Sequence, residues 1–353
     1  MLATNAATAV CQTFPILKKD TINAYRTLKK RISECAKEID DSWTDVRIAK
    51  EKPVNKLQHF YYKFLVEHSV KAYETYIRDD ANVPDFDKAR TLSNNGNIAG
   101  AWLQDIPRKG EREWDNTSFR RALKFRLGAP FNDRPFRCKC KARDPSIDCH
   151  LNHSFVCKLC TSSIKARHDA LVQEFAALCK TASINWTTPG PGTLRIQSDF
   201  DRDVIPDGAI RGIEDKTIYI DVTVGHPTCP TYLRLGSARI EHLALDQREL
   251  IKNRKYARVC RENDGTFIPL AFETYGTFSK RTEDLIKRIV DIAAGIHHCN
   301  YSTMLNYWRR RFSSTLQYFN TQIITESYLL NFITENEGQL ERDFYDGLHY
   351  GFI

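Results

Sequence analysis

No stretch of the sequence approaches eighteen consecutive apolar residues, so no segment has the length and hydropathy of a bilayer-spanning helix. The N-terminal MLATNAATAVCQTFPILKK has no basic stretch followed by a long apolar core, which is not the pattern of a secretory signal. Internal repeats and low-complexity tracts are missing too, which argues against solenoid, fibrous and disordered architectures. These absences predict a soluble intracellular chain, nuclear or cytoplasmic, neither secreted nor membrane-bound. In such a compartment clustered cysteines point to metal before disulfide.

What is present is a folded composition: 353 residues, of which 42% are hydrophobic, give room for two or three domains with a sizeable core. The net charge is +8, and its placement matters more than its size. Between Arg108 and Arg143 twelve Lys/Arg face four Asp/Glu, so this one block carries the whole excess. Local positive potential of that kind suits a surface that meets phosphate, although a solvated helix face has the same composition.

Residues 21–76 contain no glycine and repeat apolar residues at helical spacing, for example Phe60, Phe64 and Val70, which predicts two or three helices. Residues 82–97, with Pro84, paired Asn and Gly96, read as a linker. Asp115 or Thr117 can cap a basic amphipathic helix with Phe119, Leu123 and Leu127 on one side and Arg120, Arg121, Lys124 and Arg126 lining the rest. RHDALVQEFAALCKTA reads as a helix with Leu171, Phe175 and Leu178 inward. LRIQ, DVIPDGAIR and TIYIDVTV read as strands, the last alternating Ile218, Ile220, Val222 and Val224 against Tyr219, Asp221 and Thr223. A helix over residues 237–261, the strand TFIPLAFETY, and helices over 280–294 and 302–330 follow. The order predicts a mixed α/β core with helices on both faces.

The two strands DVIPDGAIR and TIYIDVTV join through a short polar turn at Glu214, and in a hairpin paired positions are equidistant from the turn. Asp207 and Asp221 each lie seven residues from Glu214, so within one residue of register their carboxylates oppose each other. Like charges so placed are destabilising by roughly 0.2–1 kcal/mol when exposed, and by more where water is excluded. A divalent cation with oxygen ligands, such as Mg²⁺, offsets that repulsion; two solvated strand-end aspartates are the plainer alternative. On the next helix Arg248, Lys252 and Lys255 fall on one face, able to hold a phosphate or neutralise charge developing on it, with Tyr256 as an adjacent donor. A solvated basic stripe has the same spacing.

RCKCKARDPSIDCHLNHSFVCKLC holds five cysteines within 23 residues together with His150 and His153. Seven candidate ligands exceed the four that zinc needs. One set is Cys138, Cys140, His153 and Cys157; His150 and Cys160 are alternates. A segment so polar buries little apolar surface, and a metal would supply the missing folding energy.

In order along the chain, GAWLQDIP, FRRALKFRLGAP, the Cys/His cluster, RHDAL, PDG, DVTV with HPTCPTYL, KNRKY and FETYG resemble the C-terminal part of the reverse-transcriptase polyproteins of early-branching non-LTR retrotransposons. There a CCHC zinc motif precedes a restriction-enzyme-like endonuclease of the PD-(D/E)XK superfamily. The likeness covers residues 98–330. It implies Asp207 and Asp221 as Mg²⁺ ligands, Lys252 and Lys255 as the lysines of KxxKY with Lys255 favoured as catalytic, and Arg167 and His168 as the RH pair. Glu174 becomes a candidate extra ligand and Glu273 the acid of the ETFG-like strand. Typical superfamily members place a lysine two residues after the second acid, where this chain has Thr223; in this family the lysine comes from the following helix. The polymerase of such polyproteins has no room in the first 97 residues, and the YIRDD at Tyr76–Asp80 is one residue too long for a polymerase YxDD.

The expectation is therefore a restriction-endonuclease-like mixed sheet flanked by helices, divided as a helical region over 1–97, a basic helical linker over 98–136, a zinc module over 137–165, the nuclease domain over 166–296 and a helical region over 297–353. The expected activity is Mg²⁺-dependent nicking of DNA for element integration, with structural Zn²⁺. DNA is the expected partner, with element RNA as a second. Arg120, Arg121, Lys124, Arg126, Arg167 and Arg248 would bind the nucleic acid, with Trp102, Trp114 and Arg309–Arg311 as possible additions. The alternative is a catalytically inactive, retroelement-derived zinc protein that only binds nucleic acid.

Overall fold

The chain divides into Met1–Asp79 and Asp80–Ile353, and everything that follows concerns the second unit. The computed structural model describes residues 81–332, apart from 97, 106–113, 132–135, 141–145, 148, 190–195 and 197–203. The helices expected over 21–76 lie outside the described residues, as does part of the basic block.

The segment expected to be a linker is a helix, α1 (Asp85–Asn94). Its Pro and Asn residues bound the helix: Pro84 is the N-cap, Asp85 and Asp87 sit in the first turn where the helix dipole favours acids, and Asn95 closes the end. The basic helix α2 (Asn116–Leu127) starts where expected, because the Asp115 side chain accepts from Ser118 N. Its buried face differs from expectation. Ser118, Ala122 and Phe125 turn inward, whereas Phe119 and Leu127 are exposed, because Phe125 stacks on Phe155 and Tyr275 at 4.7 and 4.4 Å.

A two-residue hairpin follows, β1 (Phe136–Arg137) antiparallel to β2 (Ser146–Ile147), then two short 3₁₀ turns, Asn152–Val156 and Lys158–Cys160. They lead directly into α3 (Thr161–Thr181), whose Leu171, Phe175 and Leu178 are buried as the periodicity predicts.

The sheet contains β3 (Asn185–Thr187), β4 (Gly208–Arg211), β5 (Thr217–Gly225) and β6 (Gly265–Glu273) in that spatial order. β3 to β5 are antiparallel and β6 runs parallel to β5, which makes the sheet mixed. Of LRIQ, Ile196 is the described residue, and it pairs in an isolated bridge to Val204. The crossover from β5 to β6 carries α4 (Pro230–Leu235) and α5 (Leu243–Glu262), so the long helix expected from residue 237 begins six residues later, after a turn. Helices α6 (Lys280–Ile296) and α7 (Tyr301–Phe332) complete the described chain.

The two faces of β5 divide the molecule. Ile218, Ile220 and Val222 join Leu270 and Phe272 of β6 in one core with α3, α6 and α7, through Phe175, Ile289 and Phe312 among others. Tyr219 on the opposite face joins Tyr256, Val259 and Phe267 against α5. Because Leu305, Trp308, Phe312 and Leu316 of α7 lie in the same core as the sheet, the boundary expected at 296/297 is not a break in packing. Among the described residues no helix is long and apolar enough to cross a membrane.

Candidate acidic and metal sites

The β4–β5 pairs Gly208↔Ile220, Ala209↔Tyr219 and Ile210↔Ile218 are each equidistant from Glu214, which is the register expected from the turn. One step beyond the last pair the chain bends at Asp207. Its carboxylate takes the hydrogen bond that the ladder would otherwise supply, with Val222 N donating to Oδ2 at 2.7 Å. The same oxygen meets His168 Nε2 of α3 at 2.8 Å, while His168 Nδ1 lies 3.1 Å from Asp169 Oδ1. Burial pulls the His168 imidazole down, but the hydrogen bonds to Asp207 and Asp169 and the charges of Asp207 and Asp221 outweigh it and raise its pKa above the ordinary value. Gly208 is needed here for space: a Cβ would sit 2.1 Å from the Trp186 ring of β3.

Asp221 points to the α5 face and is 3% exposed. Lys252 of α5 pairs with its Oδ2. Lys255, the favoured lysine, instead donates to Tyr256 Oη at 2.7 Å, lying 4.4 Å from the ring centroid, and Tyr256 Oη donates to Ile205 O at 3.0 Å. Burial, then the neighbouring carboxylates of Asp221 and Asp207, push the Tyr256 hydroxyl well above the usual phenol range, so it stays a proton donor. The structure therefore brings Asp207, Asp221, His168, Lys252 and Tyr256 together, with Lys255 one contact further out. Two carboxylates, one from the bend before β4 and one from β5, are a donor set that a hard divalent cation accepts, leaving positions for water and phosphate.

Other expected residues have structural partners. Glu174 is not available as a ligand: Arg311 Nε and Nη2 donate to its two oxygens at 3.0 and 3.2 Å, and Thr315 Oγ1 donates at 2.9 Å. Arg309 is likewise engaged with Glu283. Trp102 is buried, and Trp114 Nε1 donates to Ser314 Oγ at 3.0 Å, so both rings pack toward α7 instead of offering stacking platforms. Arg126 Nη1 donates to Asn94 Oδ1 and Ala99 O, and Arg121 Nη1 to Thr325 Oγ1. Arg120 and Lys124 keep the more open side of α2. Glu273 is 1% exposed, accepts from Ser93 Oγ at 2.5 Å and from the Leu245 amide at the start of α5, and is raised to about 7 by burial. It ties α1 and α5 to the end of β6.

The zinc-type cluster is a second centre. Cys138 and Cys140 follow β1, His153 stands in the first 3₁₀ turn, and Cys157 ends it; their ligand atoms lie within 4.8 Å of one another. Cys138 Sγ and Cys157 Sγ are 3.6 Å apart, and Cys140 Sγ and His153 Nε2 are 3.3 Å apart. Two sulfurs at ~2.3 Å from a tetrahedral ion would be about 3.8 Å apart. The four residues could hold a metal such as zinc. With no cation, burial and the neighbouring Cys157 thiol push Cys138 up to about 12, and a divalent ion reverses that by taking thiolate. The alternates are outside the four: His150 packs its ring against Phe86 at 4.9 Å, and buried Cys160 neighbours Cys157 and Cys138 without joining them.

His226 opens the HPTCPTYL motif, to which the sequence reading gave no role. It is buried, stacked on Phe155 at 4.6 Å, with Nδ1 near Thr274 Oγ1 at 2.8 Å and Nε2 near Thr228 Oγ1 and Asn152 Oδ1. Asn152 precedes His153, so this network joins the Cys/His cluster to the ends of β5 and β6. Its sequence signal was that motif, directly after a buried strand. Comparison with known protein families and with characterised proteins finds no match to this chain.

Proposed function

We propose that this chain is a Mg²⁺-dependent DNA endonuclease of the restriction-enzyme-like type, derived from a non-LTR retrotransposon and acting in the nucleus, which nicks target DNA for element integration. The observation that carries the reading is that Asp207, bonded to the amide next to buried Asp221, acts together with Asp221 on His168 and Tyr256, while Lys252 pairs with Asp221. Asp207 and Asp221 would hold Mg²⁺, whose chemistry when bound is to acidify water and screen phosphate oxygens. Val222 N and His168 fix the Asp207 carboxylate. Lys252, 23% exposed, would transfer its charge from Asp221 to the phosphate as negative charge develops there. Tyr256, kept protonated, orients Lys255 beside it. Zinc at Cys138, Cys140, His153 and Cys157 would hold the module that leads into α3, and Arg120 and Lys124 would contact the backbone, positioning without reading sequence.

The second reading, a nucleic-acid-binding zinc protein without nuclease activity, is favoured by one observation: each carboxylate already has a side-chain partner, His168 or Lys252. Nicking of supercoiled plasmid with Mg²⁺ separates the two. The nuclease reading expects nicked circles from the intact protein and none from Asp221→Asn. It fails if the intact protein binds DNA without nicking it, or if Asp221→Asn and Lys252→Ala both nick normally.

A further inference from the structure

Arg167 of α3 and Arg248 of α5 bring two guanidinium groups into the protein with no acid beside them. Arg167 is 3% exposed; its Nη1 donates to Asn320 Oδ1 at 2.8 Å, and its Nε–H is buried without an acceptor. Arg248 is half-buried, and its Nε–H is also buried without an acceptor. Its stem rests on the end of β5, where a Cβ at Gly225 would lie 3.4 Å from Arg248 Cγ. Among the described residues neither side chain forms an ion pair.

The acid in these surroundings, Glu273, acts on Tyr232 as Arg248 does, but burial raises it to about 7 and its bonds go to Ser93 and the Leu245 amide. Burial, and then the charge of Arg248, lower Arg167 to about 9, so the two groups repel each other. His226 faces Arg167 and is uncharged, its pKa held at about 3 by burial and by that guanidinium. On the other side Arg248 acts on Cys229 and Tyr232, both of which burial keeps protonated. Phe155 contributes a ring 6.0 Å from the Arg167 guanidinium carbon. A buried and a half-buried like charge without a paired carboxylate are unfavourable unless an anion from outside the fold completes them. Planar guanidinium forks match the oxygens of phosphate better than any other common anion receptor.

We propose that Arg167 and Arg248 form a two-guanidinium receptor for a phosphate oxyanion, occupied by a phosphodiester of bound nucleic acid neighbouring the one at Asp207 and Asp221. This deepens the nuclease reading and rests on it for the identity of the strand. Arg248 stands one helical turn, about 6 Å, from Lys252 on the same helix. Charges on a strand recur every ~3.4 Å of axis, so the two positions suit phosphates one or two nucleotides apart. Inorganic phosphate presents the same oxygens, and the experiment distinguishes the two sources.

Duplex binding is measured without Mg²⁺ by fluorescence anisotropy across a salt series, for the full chain and for Arg248→Gln, Arg248→Lys, Arg167→Lys and Asp221→Asn. Melting is followed in chloride and in inorganic phosphate at matched ionic strength, and nicking is assayed in parallel. The receptor predicts that Arg248→Gln melts no lower than the native chain in chloride, loses about one unit of slope in log K against log salt, and nicks at least tenfold more slowly. Arg248→Lys keeps the slope. An unchanged slope in folded Arg248→Gln overturns the proposal. So does a phosphate-dependent rise in melting temperature that Arg248→Gln abolishes while the DNA slope stays, because the occupant is then a free anion. Asp221→Asn tells the two readings apart: if it stops nicking while Arg248→Gln keeps the slope, the receptor falls and the nuclease stands. If Asp221→Asn nicks normally while Arg248→Gln loses the slope, the nuclease reading falls and the receptor stands.

Discussion

His168 Nε2 and Asp207 Oδ2 meet at 2.8 Å, joining the first half of α3 to the bend that precedes β4. Among the described residues, only this contact and Val222 N hold the Asp207 carboxylate in place. Partners of this kind around metal-ligating carboxylates typically contribute 10–100-fold to metal affinity or activity. His168→Ala is therefore expected to raise the Mg²⁺ concentration at half-maximal nicking by at least tenfold, with little change in DNA affinity. A Mg²⁺ titration of plasmid nicking checks this, and an unshifted midpoint would remove His168 from the site.

The metal cluster gives a sharper discrimination, because neighbouring cysteines differ in their placement. Cys157 belongs to the four-ligand group, whereas Cys160, three residues on and fully buried, does not. Purified protein is expected to carry about one equivalent of Zn²⁺ per chain, to keep it in Cys160→Ser, and to lose it in Cys157→Ser together with part of its thermal stability. Metal analysis by mass spectrometry with a melting curve reads both. Zinc retained in Cys157→Ser would move the ligand set.

Much of this arrangement was legible from local pattern. Strict alternation in TIYIDVTV located both faces of β5, and the distance of each acid from Glu214 predicted the observed register, since turn and ladder geometry are short-range. What could not be read depended on partners far away in sequence. Glu174 resembled a free carboxylate until Arg311, 137 residues later, packed beside it. Phe119 and Leu127 lie on the apolar stripe of α2, yet the stacking of Phe125 on Tyr275 decides which side of that helix is buried. Pro84 and Asn95 looked like breakers because capping residues and linker residues have the same composition.

Gly208 provides a test of the site's scaffold independent of its chemistry. A methyl group there would collide with the Trp186 ring, and overpacking of this kind costs roughly 1–3 kcal/mol. Gly208→Ala is expected to be destabilised by that amount and to disturb the adjacent Asp207. Adding Trp186→Leu should recover part of the loss, seen as a favourable coupling energy in chemical denaturation. Strictly additive effects would mean that the ring does not set the requirement for glycine.

Two buried groups make opposing contributions to pH dependence. Glu273 is raised from 4.5 to about 7 by burial, so in the native state it keeps a proton that the unfolded chain has lost, and its contribution to stability falls as pH rises from about 4.5 to 7. His226 is lowered from 6.5 to about 3 by burial and by Arg167, so below pH 6.5 the unfolded chain gains a proton that the native state does not bind, and stability is lost as pH falls toward 3. Between about pH 4.5 and 6.5 the two slopes have opposite sign and nearly cancel. Glu273→Gln keeps an acceptor for Ser93 and removes only the first of them. Its stability is therefore expected to rise relative to the native chain across this window, by up to about 1.4 kcal/mol per pH unit. Urea denaturation of both proteins at pH 4.5, 5.5 and 6.5 measures the difference directly. A constant difference would show that Glu273 is ionised in the native state at pH 5, and that the Ser93 and Leu245 donors hold its charge despite burial.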